Sequence, residues 1–133
     1  ATRPWQHVLE PLNGYLMLAE NLYRVGSKFA QGWNFGPFDH DAKTVGWVVK
    51  RLCEKWNKSV EYELAKDPQP HEANYLKLDC SKAMTELGWM PRWDVETALD
   101  KVIEWTKAYQ EDKDMQSVCY GQIEEYALQT TTP

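Results

Sequence analysis

The sequence has few cysteines, no long apolar run and no surplus of basic residues. Its three cysteines are widely spaced and form no C-x-x-C pair, which argues against a disulfide framework or a zinc site. No stretch reaches the roughly 18 apolar residues that a membrane-spanning helix needs. The net charge of -5 argues against nucleic-acid binding, because phosphate contacts require clustered Lys and Arg. We therefore expect a cytoplasmic protein.

Catalytic and cofactor-binding motifs are also missing. The chain contains no G-x-G-x-x-G, no G-x-x-x-x-G-K-[ST], no H-E-x-x-H and no G-x-S-x-G pattern. Two Y-x-x-x-K matches, Tyr62–Lys66 and Tyr109–Lys113, fall on a predicted strand and at a predicted helix end, so we attribute both to chance. The three histidines lack the spacing of metal ligands. We therefore place no catalytic and no metal-binding residue in this chain.

Aromatic residues, by contrast, are abundant. The 133 residues include seven Trp and seven Tyr, and 43% of the chain is hydrophobic. A chain of this length and hydrophobic content can form a single segment, residues 1–133, with a buried core. The aromatic side chains either fill that core or form a surface that stacks on a base, a sugar or another domain. Composition does not separate these two alternatives.

The first half of the chain predicts alternating strands and helices. Residues 2–8 are expected to be extended, and the next helix starts at Pro11 and stops at Gly26. Gly32–Pro37 is predicted to be a short strand ended by Gly-Pro. Thr44 is the predicted N-cap of a second helix. Strands this short do not form a self-sufficient sheet, which predicts packing against a partner.

The second half is predicted to contain more helix than strand. Residues 59–64 alternate as in a half-buried strand, and the polar loop 66–74 leads to a short extended piece at 75–78. Three helices follow, at 79–87 with Gly88 as the stop, from Asp94 to about Tyr109, and near 122–128. The end, about 129–133, is expected to be frayed. The chain is therefore predicted to be an α/β unit with more helix than strand.

Several residues supply chemistry for binding rather than for catalysis. Arg3 can hold two phosphate oxygens in a rigid fork, and Trp5 beside it offers a stacking face. Thr44 lies at a helix start, where backbone N–H groups favour an anion. His71-Glu72 is suited to hydrogen-bonding a hydroxylated ligand. Each has a structural alternative (surface ion pair, core aromatic, ordinary cap, solvated loop), but together they indicate a site for a phosphate joined to a polar ring.

Four segments carry a family resemblance: RPWQHVLEP, WNFGP, PHEANYLKLDCSKA and LGWMPRW. In this order they resemble the C-terminal, substrate-binding lobe of the extended short-chain dehydrogenase/reductases that act on nucleotide-sugars, in the branch that uses CDP-glucose. The resemblance implies a helix-rich α/β lobe with a few short strands and without the Rossmann lobe. It further implies that the dinucleotide-binding glycines and the catalytic Tyr-x-x-x-Lys lie upstream of Ala1. The chain is therefore expected to be a C-terminal portion.

The resemblance also implies an activity. Such a protein is an NAD-dependent 4,6-dehydratase, a lyase of deoxysugar or O-antigen synthesis, and its partners are a CDP-glucose-type nucleotide-sugar and its own N-terminal Rossmann lobe. That lobe would bind most of the NAD and would cover the first helix, and the intact protein would be a homo-oligomer. The alternative is a stand-alone nucleotide-sugar-binding or protein-interaction module without catalysis.

Six positions are implied to bind the nucleotide-sugar, with Trp5 and Asn34 as lining residues: Arg3, Trp5, Asn34, Thr44, His71 and Glu72. Arg3 matches an arginine that contacts the pyrophosphate, and Thr44 falls at a helix start that contacts a phosphate. Glu72, directly after His71, matches an acidic residue that holds the ribose hydroxyls. Gln69 falls where several relatives carry a second phosphate-binding arginine, so the resemblance leaves that second contact open.

Overall fold

Four α-helices and one antiparallel strand pair form most of the regular structure. The computed structural model describes residues 1–57, 60–63 and 73–129. The bounds are β1 Thr2–Pro4, α1 Leu9–Val25, β2 Ala42–Thr44, α2 Val45–Trp56, α3 Val95–Gln110 and α4 Met115–Leu128. Two 3₁₀ turns, Ser27–Phe29 and Asp39–Asp41, and a π-helical turn, Ala83–Leu87, complete the regular elements of the described residues.

The strand pair joins the start of the chain to the start of α2. Its antiparallel register is Thr2 opposite Thr44, Arg3 opposite Lys43 and Pro4 opposite Ala42. On the other edge of β1, Thr2 forms a parallel bridge with Tyr75. There the Thr2 N–H donates to the Asn74 carbonyl at 2.9 Å, and the Leu76 N–H donates to the Thr2 carbonyl at 3.1 Å. β1 therefore lies between two extended segments.

Two apolar clusters form the core. The first lies beside α1 and consists of Phe29, Phe35, Cys80, Ala83, Leu87 and Trp89. The second lies between α2 and α3 and consists of Val48, Val95 and Leu99, with Trp5, Trp47 and Leu52 packed against it. Trp89 and Trp93 are almost completely buried, so part of the aromatic surplus fills the core.

The N-terminal turn of α1 buries a carboxylate. Glu10 Oε1 accepts the backbone N–H groups of Arg92 at 3.0 Å and Trp93 at 2.7 Å, and Oε2 accepts the Tyr126 hydroxyl at 2.7 Å. Burial is the main cause that raises the pKa of Glu10, and burial together with the Glu10 carboxylate raises the pKa of Tyr126. This carboxylate joins α1, the segment before α3, and α4.

The predicted helix caps at Thr44 and Asp94 and the predicted stop at Gly88 are confirmed. The Thr44 Oγ1 accepts the Trp47 N–H at 3.1 Å at the start of α2, and the Asp94 Oδ1 accepts the Thr97 N–H at 2.8 Å at the start of α3. Gly88 has φ +68 and ends the preceding helical turn. α1 begins at Leu9, before Pro11, and α4 begins at Met115, well before the predicted helix.

Two predicted strands are wrong. Gly32–Pro37 is irregular because side chains rather than a neighbouring strand hold it: the Gln6 Nε2 donates to the Phe35 carbonyl at 2.8 Å, and the Asn34 Nδ2 donates to the Asp79 carbonyl at 3.2 Å. Val60–Glu63 is not a strand either, and its apolar side chains are exposed. The rest of that predicted strand, loop residues 66–72 and the tail 130–133 lie outside the described residues.

Candidate functional site

Arg3 is fixed by backbone pairing on both sides of β1. Its Nη1 donates to the Thr2 carbonyl at 2.8 Å, and the side chain is half-buried. Because directly opposed residues of an antiparallel pair share one face, Arg3 and Lys43 project from the same face. The backbone from which the guanidinium extends is therefore hydrogen-bonded to both neighbouring segments.

Trp5 is tied to the strand pair by its indole. The Nε1–H donates to the Lys43 carbonyl at 2.9 Å, and the ring packs against Val48, Val95 and Leu99. The ring is half-buried, so it joins β1 to the core between α2 and α3 while keeping part of its surface accessible. Trp5 thus serves as a structural anchor in the described residues.

Thr44 pairs with Thr2 and caps α2 with its hydroxyl. Because neighbouring strand residues alternate between faces, the Thr44 side chain lies on the face opposite to that of Lys43 and Arg3. The cation one residue earlier, Lys43, is therefore the residue that the structure places beside Arg3. Sequence reasoning missed it because no strand was predicted over Ala42–Thr44, and without that strand no register could be assigned.

Asn34 lies on a different segment and is exposed. It donates to the carbonyl of Asp79, which lines a cavity of about 590 Å³ between the segments 37–39 and 77–84. In this cavity the Lys77 ammonium pairs with the Asp39 carboxylate at 3.2 Å and lies 5.6 Å from the centre of the Tyr75 ring. The bridge from Tyr75 to Thr2 connects this cavity to β1. The structure therefore groups Asn34 with the cavity rather than with the strand pair.

His71 and Glu72 lie outside the described residues. The described part of their segment begins at Ala73, and its Asn74 carbonyl accepts the Thr2 N–H, next to Arg3 in sequence. The backbone that follows the predicted ribose-binding pair is thus adjacent to the predicted phosphate-binding arginine.

The described residues do not fit a dinucleotide cofactor. Their two strands are antiparallel, and the two glycines with positive φ, Gly26 and Gly88, both follow helical segments, so neither leads from a strand into an α-helix. A dinucleotide cradle needs a glycine-rich turn from a parallel strand into a helix N-terminus. In the same residues, no cluster of three or more His, Cys, Asp or Glu side chains could hold a metal ion. A search of these residues also found no helix with the length and apolar composition needed to cross a membrane.

The helix-rich architecture agrees with the expected lobe of an extended short-chain dehydrogenase/reductase without its Rossmann part. Sequence comparison relates the chain to the sugar-nucleotide 4,6-dehydratases. In particular, it is 48% identical over 129 residues to the CDP-glucose 4,6-dehydratase of Salmonella typhimurium (strain LT2), in an alignment that covers 97% of this chain and 36% of that enzyme. The resemblance inferred from the motifs, to a C-terminal portion of such an enzyme, is confirmed.

Two dTDP-glucose 4,6-dehydratases are more distant relatives. The protein of Haemophilus influenzae is 34% identical over 116 residues, covering 77% of this chain and 32% of the relative. The protein of Neisseria gonorrhoeae is 30% identical over 99 residues, covering 65% of this chain and 28% of the relative. No protein-family model matches the chain. The chain thus spans about a third of the length of the curated relatives it matches.

Proposed function

We propose that this chain is the nucleotide-sugar-binding, C-terminal part of an NAD-dependent CDP-D-glucose 4,6-dehydratase. The observation that carries the proposal is the 48% identity over 97% of the chain to the Salmonella typhimurium enzyme. The identity to the dTDP-glucose enzymes is lower, which favours CDP-glucose as the substrate. The product is CDP-4-keto-6-deoxy-D-glucose, a cytoplasmic precursor for deoxysugar and O-antigen synthesis.

In this proposal the chemical steps belong to a part of the enzyme outside this chain. NAD, held outside the described residues, would supply the redox chemistry at the sugar C4 that accompanies the loss of water. The described residues lack the cradle for NAD, and the sequence lacks the Tyr-x-x-x-Lys motif in a catalytic setting. The isolated chain is therefore expected to be inactive.

The residues of this chain bind and orient the substrate. Arg3, fixed on β1, holds the diphosphate with its guanidinium fork. The accessible part of the Trp5 ring lines the site, and His71 and Glu72 hold the ribose hydroxyls. Thr44, on the opposite face of β2, and Asn34, beside the cavity of segments 37–39 and 77–84, are not assigned to the diphosphate site. The chain carries a net charge of -5, so attraction for a doubly charged diphosphate depends on this local basic group rather than on the whole surface.

The exposed face of α1 supports docking of the N-terminal lobe. Leu12, Tyr15, Leu16 and Tyr23 recur at helical spacing, and their exposed fractions are 45%, 58%, 72% and 94%. Met17 and Leu18 of the same helix pack against the core, so the exposed side chains form a second, apolar face of α1 that the described residues do not cover. A helix with its apolar stripe exposed is completed by a partner surface.

The test is turnover by the complete natural protein that contains this chain. Incubation with NAD and CDP-glucose is expected to give a product lighter by one water in mass spectrometry, and dTDP-glucose is expected to react much more slowly. The isolated chain serves as a control and is expected to give no product. A folded complete protein that leaves CDP-glucose unchanged would overturn the proposal; binding without turnover would favour the alternative of a binding module.

A further inference from the structure

A cavity between the start of α1 and the helices α3 and α4 takes no part in the proposed diphosphate site. Its volume is about 310 Å³, within the range of about 300–1,000 Å³ that is typical of small-molecule pockets. Such pockets are mostly apolar and contain a few polar groups that fix the orientation of the ligand. Here the apolar walls include Val8, Val102, Trp105 and Ile123, and the polar side chains include His7 and Gln122.

His7 brings a hydrogen-bond donor to this cavity. Only 8% of the residue is exposed, and its Nδ1 accepts the backbone N–H of Leu9 at 3.3 Å. Burial, and to a lesser extent the positive charge of Lys101, lowers the pKa of His7, so the ring is neutral and carries its proton on Nε2. This Nε2 has no hydrogen-bond partner among the described residues, yet it is not sealed off from the surface. Because the buried residue lines the cavity, we place this donor in the cavity wall.

Gln122 brings an acceptor to the same cavity. The residue is 6% exposed, and its Nε2 donates to the Lys101 carbonyl at 3.0 Å. The remaining polar atom, Oε1, has no partner within the described part of the chain and is not sealed off either. Buried polar side chains are normally hydrogen-bonded. One donor and one acceptor in the wall of a single cavity therefore indicate a ligand with complementary polar atoms.

The remaining lining favours a flat, neutral ring. The indole of Trp105 supplies an aromatic wall, and its Nε1–H donates to the Cys119 Sγ at 3.4 Å, which holds the ring in place. The Lys101 ammonium is paired with Glu104 at 3.0 Å and with Glu125 at 2.6 Å. Its charge is thus already compensated, and the two carboxylates disfavour an anionic ligand.

We propose that this cavity binds a small, neutral aromatic molecule that carries a hydroxyl group. The hydroxyl oxygen accepts the Nε2–H of His7, the hydroxyl proton is available to Oε1 of Gln122, and the ring packs against Trp105 and its apolar neighbours. The inference goes beyond the proposed function and does not depend on it, because none of these residues is assigned to the diphosphate site.

The test is binding of p-cresol to the complete natural protein, with excess NAD and CDP-glucose present to occupy any nucleotide site. Toluene lacks only the hydroxyl, and p-toluate replaces it with a carboxylate. Saturation-transfer NMR titrations should show that p-cresol binds about fivefold more tightly than toluene, since it gains a hydrogen bond, and that p-toluate binds most weakly. Toluene that binds as tightly as p-cresol overturns the inference, because a purely apolar groove prefers the more apolar molecule.

Two variants on α4 locate the site. Ile123→Trp fills the cavity from a half-exposed position and should weaken p-cresol binding at least about tenfold. Leu128→Trp introduces the same side chain at an exposed position that does not line the cavity, and it should leave p-cresol binding unchanged. Equal p-cresol affinities in the two variants overturn the inference.

Thiol labelling gives a measurement that requires no variant. Cys119 is exposed and lines the cavity, whereas Cys53 lies on α2. Saturating p-cresol should slow the reaction of Cys119 with a maleimide and leave that of Cys53 unchanged, as followed by peptide mass spectrometry. If p-cresol does not bind, or binds without protecting Cys119, the inference is overturned, including the case in which another part of the complete protein fills the cavity.

Discussion

Glu10 is the residue on which the packing of three parts of the fold depends. It is completely buried and accepts hydrogen bonds from two backbone N–H groups and one hydroxyl. A buried carboxylate loses its hydration, and these bonds replace it only in part, which is why burial raises its pKa. The predicted helix starts at Pro11, one residue after Glu10, and no local pattern indicates that this carboxylate is buried.

Removing this carboxylate should destabilise the chain strongly. Glu10→Ala leaves the Arg92 and Trp93 N–H groups and the Tyr126 hydroxyl unpaired, so we expect a loss of about 3 kcal/mol or more in the free energy of unfolding. Tyr126→Phe removes one of these bonds and should cost less. Urea denaturation followed by tryptophan fluorescence measures both. If Glu10→Ala lowered the free energy of unfolding less than Tyr126→Phe does, this role of Glu10 would be contradicted.

The raised pKa of Glu10 predicts a pH dependence with a definite sign. The folded state keeps the Glu10 proton to a higher pH than the unfolded state does, so stability is gained as pH falls through the folded pKa and is lost as pH rises through it. Glu10→Gln stays neutral, and the stability of the wild type relative to this variant should therefore fall from mildly acidic to neutral pH. Parallel denaturation series measure this difference; an opposite slope would refute the raised pKa.

At the scale of elements, local chemistry explains which predictions held. The caps at Thr44 and Asp94 and the stop at Gly88 act within a few residues, so the sequence is sufficient to place them. Strands depend on partners distant in sequence. Gly32–Pro37 has a strand-like composition, but Gln6 and Asn34 side chains hold it instead of a neighbouring strand. The β1–β2 register, which sets the position of Lys43, also depends on pairing between residues distant in sequence, so the sequence did not predict it.

The close approach of α1 to Phe35 gives a prediction for a helix. A Cβ on Gly14 would lie 2.6 Å from the Phe35 Cε1, and that ring is itself held edge-on against Trp89. Gly14→Ala should therefore destabilise the chain by about 1–3 kcal/mol, although alanine is normally the better helix former.

Gly121→Ala on α4 is the matched control, because a Cβ there meets nothing within 4 Å. It should stabilise the chain by about 0.5–1 kcal/mol. Thermal unfolding monitored by circular dichroism measures both variants. Equal effects at the two glycines would show that the Phe35 contact does not constrain α1.

At the scale of the whole molecule, the exposed apolar stripe of α1 predicts self-association of the isolated chain. Leu16→Glu should reduce binding of a hydrophobic dye and lower the mass found by light scattering, because it places a charge in the middle of the stripe. Leu128→Glu, at an exposed position on α4, is the control and should change little. If the two variants behave alike, the apolar stripe of α1 is not the surface through which the isolated chain self-associates.

The sequence predicts candidate binding residues but not how the fold arranges them. The chemistry and motif of Arg3 predict a phosphate ligand, which stays a prediction, and the structure pairs its backbone with Lys43 on β2. That Thr44 projects from the opposite face, and that Asn34 borders a separate cavity, depends on register and loop contacts that no local pattern encodes.

The most direct measurement of the central claim is the affinity of the complete natural protein for CDP-glucose with and without Arg3. Calorimetry should show binding by the wild type and an affinity lower by at least about tenfold in Arg3→Gln, because a charged hydrogen-bonding group has been removed from the diphosphate. Cytidine binding should be equal in both proteins. An Arg3→Gln protein that remains folded and binds CDP-glucose as tightly as the wild type would contradict the account.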